Sequence, residues 1–135
     1  MALGSAANPN NNLVLSGGTL TITNLATITA GKLTLTGGTL QGGLANQGTV
    51  IQQTGANGLV FTGSNGTLDN LTIRGVMTVG DAVNTSGRVR ISNGLVLQTE
   101  AGGSPGVMNV GTVAGANNAA VGFTGTQSLT TPPSI

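Results

Sequence analysis

Glycine recurs at a regular spacing along this chain of 135 residues, and this repeat is the feature that most constrains its fold. The segment LVLSGGTL at 13–20 matches LTLTGGTL at 33–40 at six of eight positions. The glycines that open apolar runs form two interleaved series with a mean step of about 19 residues. These series are Gly18, Gly38, Gly58, Gly75, Gly94 and Gly111, and Gly31, Gly48, Gly66, Gly87, Gly106 and Gly125. Such a repeat predicts stacked copies of one small structural unit.

Apolar and polar residues alternate inside the repeats, as expected for strands with one buried face. The clearest examples are 20–23 (LTIT), 33–36 (LTLT), 71–74 (LTIR) and 89–92 (VRIS). A period of two places Leu, Val and Ile on one face and Thr, Arg and Ser on the other. The Asn-Gly steps at 57–58, 65–66 and 93–94 predict corners, because both residue types tolerate a positive φ.

Short strands on this repeat, without intervening helical segments, predict an all-β fold. We interpret it as a right-handed parallel β-helix, a single-stranded β-solenoid of about six coils of roughly 19 residues. The solenoid is predicted to span 13–125, between a flexible N-terminal segment at 1–12 and a C-terminal tail or linker at 126–135. Phe61 and Phe123 are the only aromatic residues, and both are predicted to fill the core.

The composition excludes several classes of protein. Cys, His, Trp and Tyr are all missing, so disulfide scaffolds, thiolate or imidazole metal sites and Cys or His nucleophiles lose their essential groups. Two aspartates are too few for a calcium-binding solenoid that needs one in each turn. The net charge of +1 gives no electrostatic reason to expect nucleic acid binding, and no continuous apolar run approaches the ~20 residues of a membrane span. We therefore predict no metal, no cofactor, no nucleic acid partner and no membrane span.

Ionisable residues offer one enzymatic alternative. Asp81 and Glu100 are separated by one step of the glycine repeat, so equal coils would place them at similar positions on adjacent coils. Arg88 and Arg90 share the outward face of one predicted strand and could approach Asp69 or Asp81. This arrangement would suit a polysaccharide-cleaving enzyme, but solubilising surface charges are the simpler interpretation. No catalytic, cofactor-binding or metal-binding residue is assigned.

Threonine and asparagine suggest two further alternatives. The alternating threonines resemble the flat face of β-helical ice-binding proteins, although the segments at 50–53 and 89–91 interrupt the array. These threonines are Thr19, Thr21, Thr23, Thr27, Thr29, Thr34 and Thr36. Asn70 and Asn84 begin glycosylation sequons, which the high content of Asn and Thr explains without any modification. Outward threonines on exposed strands account for the first pattern equally well.

Three segments resemble a known group of repeats. LSGGTLTI at 15–22, LTLTGGTLQGG at 33–43 and GTLDNLTIRG at 66–75 are similar to the Gly-Gly-Thr-Leu repeats of autotransporter passenger domains. They also resemble the β-helices of filamentous-haemagglutinin-type adhesins of Gram-negative bacteria, and the resemblance covers roughly 13–125. It implies export to an extracellular or outer-membrane-associated location. It further implies weak, multivalent adhesion to a host surface, an abiotic surface or glycans, rather than catalysis.

The expected function is that of a structural and adhesive surface rod, and the chain is not expected to be an enzyme. The linker-like segments at 8–12 and 130–135 indicate a fragment of a longer secreted adhesin or autotransporter passenger. The alternatives are a segment of a phage tail fibre or spike, a polysaccharide-active β-helix enzyme and an ice-binding protein. Trimerisation in solution would favour the phage fibre. Unpaired strand edges at the coil ends predict end-to-end self-association.

Overall fold

The protein consists of short strands in the part of the chain that the structure describes. The computed structural model describes residues 2–4, 11–23, 25–42, 50–53, 58–112, 118–126 and 129–130. The strands are β1 (Ala2–Gly4), β2 (Asn11–Leu15), β3 (Thr19–Ile22), β4 (Leu25–Leu35), β5 (Thr39–Gly42), β6 (Val50–Gln53), β7 (Gly58–Phe61), β8 (Gly66–Arg74), β9 (Met77–Val79), β10 (Arg88–Gln98), β11 (Met108–Val110), β12 (Ala120–Phe123) and β13 (Leu129–Thr130). No helix occurs among these residues, which confirms the predicted all-β class.

The strands form three rows, within which the paired strands run parallel. Row one contains β1, residues 25–30 of β4, β6, residues 71–74 of β8, residues 95–98 of β10 and β13. Row two contains β3, β5, residues 66–69 of β8, residues 88–92 of β10 and β12. Row three contains β2, residues 31–35 of β4, β7, β9 and β11, with β7 in contact with β9. The chain visits the rows in a constant order of one, three and two, which is compatible with a β-helix.

Paired strands are separated by longer stretches of chain than the glycine spacing predicts. Asn11 pairs with Gly31, close to the expected distance along the sequence, whereas Leu95 is followed in row one by the much later Leu129. The uniform coil length inferred from the glycine series is therefore too short. The prediction failed because glycines occur at corners of different kinds: Gly38 precedes a row-two strand, but Gly58 begins a row-three strand. The glycine series therefore does not mark the same corner in every repeat.

Strand structure also extends beyond the predicted limits of the repeat region. β1 lies within the segment predicted to be flexible, and β13 lies within the predicted tail. Both strands pair in row one, β1 with β4 and β13 with β10. Residues 5–10 and 131–135 of those terminal segments, and Gly48 of the glycine series, lie outside the described residues.

The core lies between the rows and consists of apolar side chains from the inward positions of each strand. Neighbouring strands of a row place these side chains in register, so that Leu68 of row two stands between Leu40 and Ile91. Other buried residues are Ala26, Ile28, Ile51 and Ile73 in row one, and Leu33, Leu35, Leu59, Phe61, Met77 and Val79 in row three. Each fully buried aliphatic side chain contributes about 1.5–3 kcal/mol to stability. The alternation in the sequence predicted this packing.

Asparagine makes the corner between rows two and one. Asn70 (φ 54°) and Asn93 (φ 55°) divide β8 and β10 into their row-two and row-one parts. Asparagine is among the few residue types that adopt the left-handed region routinely, because its short side chain can hydrogen-bond locally. The predicted Asn-Gly corner at 93–94 is confirmed, and Asn57 of another predicted corner lies outside the described residues.

One glutamine is buried where row one meets row three. The Gln53 side chain is 4% exposed, and its Oε1 accepts a hydrogen bond of 2.8 Å from the Leu59 amide. Its Nε2 donates to the Val76 carbonyl at 3.5 Å. A β-carbon at Gly58 would collide with Gln53 Oε1, so this glycine makes room for the buried amide. Both polar ends of Gln53 are thereby paired, which removes most of the cost of burying them.

Candidate binding face

Row two carries polar side chains on its outer surface, which we call the row-two face. Its strands alternate so that apolar residues point inward and polar residues point outward. The face comprises Thr19, Thr21, Thr39, Gln41, Thr67, Asp69, Arg88, Arg90 and Ser92. Parallel strands stand about 4.8 Å apart, so the face repeats its polar groups at that interval along the stack.

A chain of hydrogen bonds connects side chains of this face across successive coils. Thr21 Oγ1 donates to Gln41 Oε1 at 3.2 Å, and Gln41 Nε2 donates to Asp69 Oδ2 at 3.2 Å. Asn93 Nδ2 donates to the other carboxylate oxygen, Oδ1, at 2.7 Å. The Asp69 carboxylate is therefore held by amides from both sides. A connected network of this kind restricts the side chains to one arrangement.

A second column on the row-two face consists mainly of hydroxyl groups. Thr19 pairs with Thr39, and Thr39 pairs with Thr67 on the next strand. Thr67 is followed in register by Arg90 and then by Gly122. Along this column, three threonine hydroxyls are followed by the guanidinium of Arg90. The next strand has a glycine at this position and therefore no side chain.

Arg88 and Arg90 lie on the outward side of β10, as predicted. Both are exposed, and they alternate with the buried residues Val89 and Ile91. The two arginines were expected to approach Asp69 or Asp81. The hydrogen bonds of those two carboxylates instead come from side-chain and backbone amides. With the Asn65 amide turned so that its oxygen faces Arg90, that oxygen accepts from Arg90 Nε at 3.1 Å and Nη2 at 3.3 Å.

The two carboxylates considered as a catalytic pair lie at different corners. Asp81 follows β9 of row three, whereas Glu100 follows the row-one part of β10. Their separation equals the glycine repeat, but paired strands in this region are separated by longer stretches of chain. The Glu100 carbonyl accepts a hydrogen bond of 3.0 Å from Gln52 Nε2. The structure therefore does not bring this pair together.

Asp81 instead stabilises the loop that follows β9. Its Oδ1 accepts hydrogen bonds from the backbone amides of Val83 at 2.8 Å and Asn84 at 2.6 Å. Partial burial of Asp81 favours the neutral form, but the hydrogen bonds from Asn84 and Val83 and the charge of Lys32 outweigh it and lower the pKa of the Asp81 carboxyl. The ionised carboxylate thus stabilises the conformation of this loop.

This lowered pKa predicts that the loop loses stability in acid. Above about pH 3.9, the ordinary pKa of aspartate, the ionised Asp81 contributes fully to stability. Its contribution is lost as the pH falls through the lower pKa of the folded state. The unfolding free energies of the native chain and Asp81→Ala should therefore differ at pH 6 and converge below pH 3.9 in urea titrations. A difference that stays constant from pH 6 to pH 3 would contradict this role.

Two other surface features have less to offer as sites. A half-open groove of about 220 Å³ is lined by Gly75, Val76, Thr99, Glu100, Gly106 and Val107. Its volume lies below the roughly 300–1,000 Å³ of typical small-molecule sites. Within the described ranges, no cluster of three or more His, Cys, Asp or Glu residues could hold a metal ion.

The threonines considered for ice binding are divided among the rows. Thr19 and Thr21 belong to row two, Thr27 to row one and Thr34 to row three. Thr34 is largely buried, and its hydroxyl donates to Asn12 Oδ1 at 2.7 Å. These residues therefore do not form one flat threonine face.

The two phenylalanines have different environments. Phe61 is 2% exposed in row three, which confirms its predicted place in the core. Phe123 is 46% exposed, so its prediction as a core residue is wrong. Phe123 pairs with Ile91 on the inward side, but β12 is the last described strand of row two. Among the described residues, Phe123 therefore has a neighbouring row-two strand on one side only.

Comparisons with known proteins provide no relative for this chain. No family model matches the sequence, and neither the curated proteins nor the solved structures contain a significant match. In the described part of the chain, no helix is long and apolar enough to cross a bilayer. The function must therefore be inferred from the rows of strands and the row-two face.

Proposed function

We propose that the chain is a segment of a right-handed parallel β-solenoid that serves as an adhesive rod. The parallel pairing within each row and the constant order in which the chain visits the rows support this winding. Among the described residues, row one contains six strands and rows two and three contain five each, which would correspond to between five and six coils of a solenoid. Right-handed winding is favoured because parallel crossover connections are right-handed in nearly all known cases.

The single observation that carries the adhesive role is the row-two face. It combines a connected series of side-chain hydrogen bonds with a column of hydroxyls at a constant axial interval. Each polar contact with a glycan or a wet surface contributes only about 0.5–1.5 kcal/mol, so adhesion requires many contacts at once. We place the rod on a bacterial surface or outside the cell because its repeats resemble those of secreted adhesins. This role requires no catalytic residue.

The adhesive role is testable by coupling the full chain to beads at increasing density. Bead retention on dextran-coated and bare polystyrene surfaces should rise steeply with density, since the contacts are multivalent. Thr39→Ala combined with Thr67→Ala removes two neighbouring hydroxyls of row two and should lower retention about tenfold. The matched control, Thr78→Ala with Asn109→Ala, alters two paired outward residues of row three and should leave retention unchanged. Retention no higher than that of uncoated beads would overturn the proposal.

A further inference from the structure

Arg88 and Arg90 place two guanidinium groups at one end of the row-two face. They are two residues apart on one strand, so their Cα atoms stand about 6–7 Å from each other on the same side. Both side chains are exposed. The nearest carboxylate of the face, Asp69, already accepts amide hydrogen bonds at both oxygens. Within the described part of the chain, the two cations are therefore available to a ligand from solution.

Among the described residues, the neighbours of the two arginines on the next strand have small side chains or none. Arg88 pairs with Ala120, and Arg90 pairs with Gly122 on the next strand. A β-carbon at Gly122 would stand 3.9 Å from Arg90 Cγ, an ordinary contact, so even a small side chain would begin to cover the arginine. On the opposite side, the hydroxyl column of Thr67 adjoins Arg90. A ligand lying along the hydroxyls would thus reach the guanidinium groups directly.

Asn65 orients one of the two arginines. Its side-chain oxygen accepts hydrogen bonds from Nε and Nη2 of Arg90, while Nη1 takes no part in that contact. Fixing one edge of a guanidinium reduces the conformational entropy that is lost when an anion binds the other donors. Asn65 is accordingly a positioning residue.

We propose that Arg88 and Arg90 form a subsite for an oxyanion of an acidic glycan that lies along the row-two face. This inference rests on the proposed adhesive function and specifies its ligand class. Guanidinium groups bind carboxylates and sulfates through paired hydrogen bonds, which a lysine cannot reproduce. The neighbouring threonine column supplies hydrogen-bonding groups for the sugar hydroxyls. The shared chemistry is an oxyanion on a hydroxyl-rich polymer, carried as either a uronate or a sulfate.

The test measures binding of the full chain to immobilised polygalacturonate, dextran sulfate and unmodified dextran at constant ionic strength. We expect at least one acidic polymer to bind about tenfold more tightly than neutral dextran, and the stronger of the two identifies the oxyanion. Arg88→Gln should remove most of this preference. Lys32→Gln is the matched control because it removes the same charge from an exposed residue of row three. Arg88→Lys keeps the charge but should recover only part of the preference. Circular dichroism of each variant should match that of the native chain.

The outcomes separate this subsite from the adhesive function. If Arg88→Gln and Lys32→Gln weakened binding to the acidic polymer equally, net charge alone would explain the attraction. That result would overturn the subsite. Dextran binding as tight as the binding of dextran sulfate and polygalacturonate would also overturn it, while leaving adhesion intact. Binding to none of the polymers or surfaces would overturn both. Asn65→Ala should reduce affinity for the acidic polymer in the native background but have no effect in Arg90→Gln, as its positioning role requires.

Discussion

Replacing Phe61 with alanine is expected to lower the unfolding free energy by about 3–5 kcal/mol. Phe61 is the largest fully buried side chain, and it stands in register with Leu35 on the preceding row-three strand. Removal of the ring leaves a cavity that stacked strands cannot easily close, because each backbone is hydrogen-bonded to its neighbours. Since small domains are stable by only about 5–15 kcal/mol, this loss is a large part of the total.

Phe123→Ala is the matched control for that prediction, since these are the chain's only phenylalanines. Phe123→Ala should lower the unfolding free energy by only about 1–1.5 kcal/mol, because nearly half of the Phe123 surface already faces water. Unfolding in urea should be followed by circular dichroism, as the chain contains no Trp or Tyr for fluorescence. A similar loss in both variants would mean that Phe123 is as well packed as Phe61. That result would contradict the arrangement of row two at β12.

The buried side chains of each strand could be predicted, because the alternation of apolar and polar residues is a local property of the sequence. Leu33 and Leu35 alternate with polar or half-buried residues in sequence, and both are buried in the structure. Coil length is a non-local property, since it depends on how many residues each corner and loop contains. The loop at 80–87, which Asp81 stabilises, lengthens the stretch of chain between β9 and β10 without any change in the strand pattern. The glycine spacing contained no information about such insertions.

Part of the row-two face could also have been found from sequence. Thr21 and Gln41 each come directly after one of the two matching repeats, so their contact follows from the offset between those repeats. The contact between Asp69 and Asn93 joins a strand residue of β8 to a corner residue of β10. No single sequence period predicts such a contact. Conversely, the separation of Asp81 and Glu100 matched the assumed period and suggested a proximity that longer coils do not allow. Register therefore has to be known before outward polar residues can be grouped into a site.

Gly42→Ala is expected to be the most damaging of the glycine substitutions on row two. A β-carbon at Gly42 would overlap the backbone carbonyl oxygen of Asn70, which belongs to the next coil. Asn70 is itself held in the left-handed region at the corner of β8, so its carbonyl cannot rotate away freely. The substitution should force β5 and β8 apart and cost about 1–3 kcal/mol or more, measured as a lower urea midpoint.

Gly17→Ala is the appropriate control for the Gly42 experiment. A β-carbon at Gly17 would meet no atom within 4 Å, and its φ lies outside the left-handed region. Alanine there should be neutral or stabilise by about 0.4–1 kcal/mol, because it restricts the unfolded chain. If Gly42→Ala were tolerated as well as Gly17→Ala, the coils would not be in contact at that corner. The hydrogen bonds that connect Thr21, Gln41 and Asp69 depend on the same close stacking, so the row-two face would lose its structural basis.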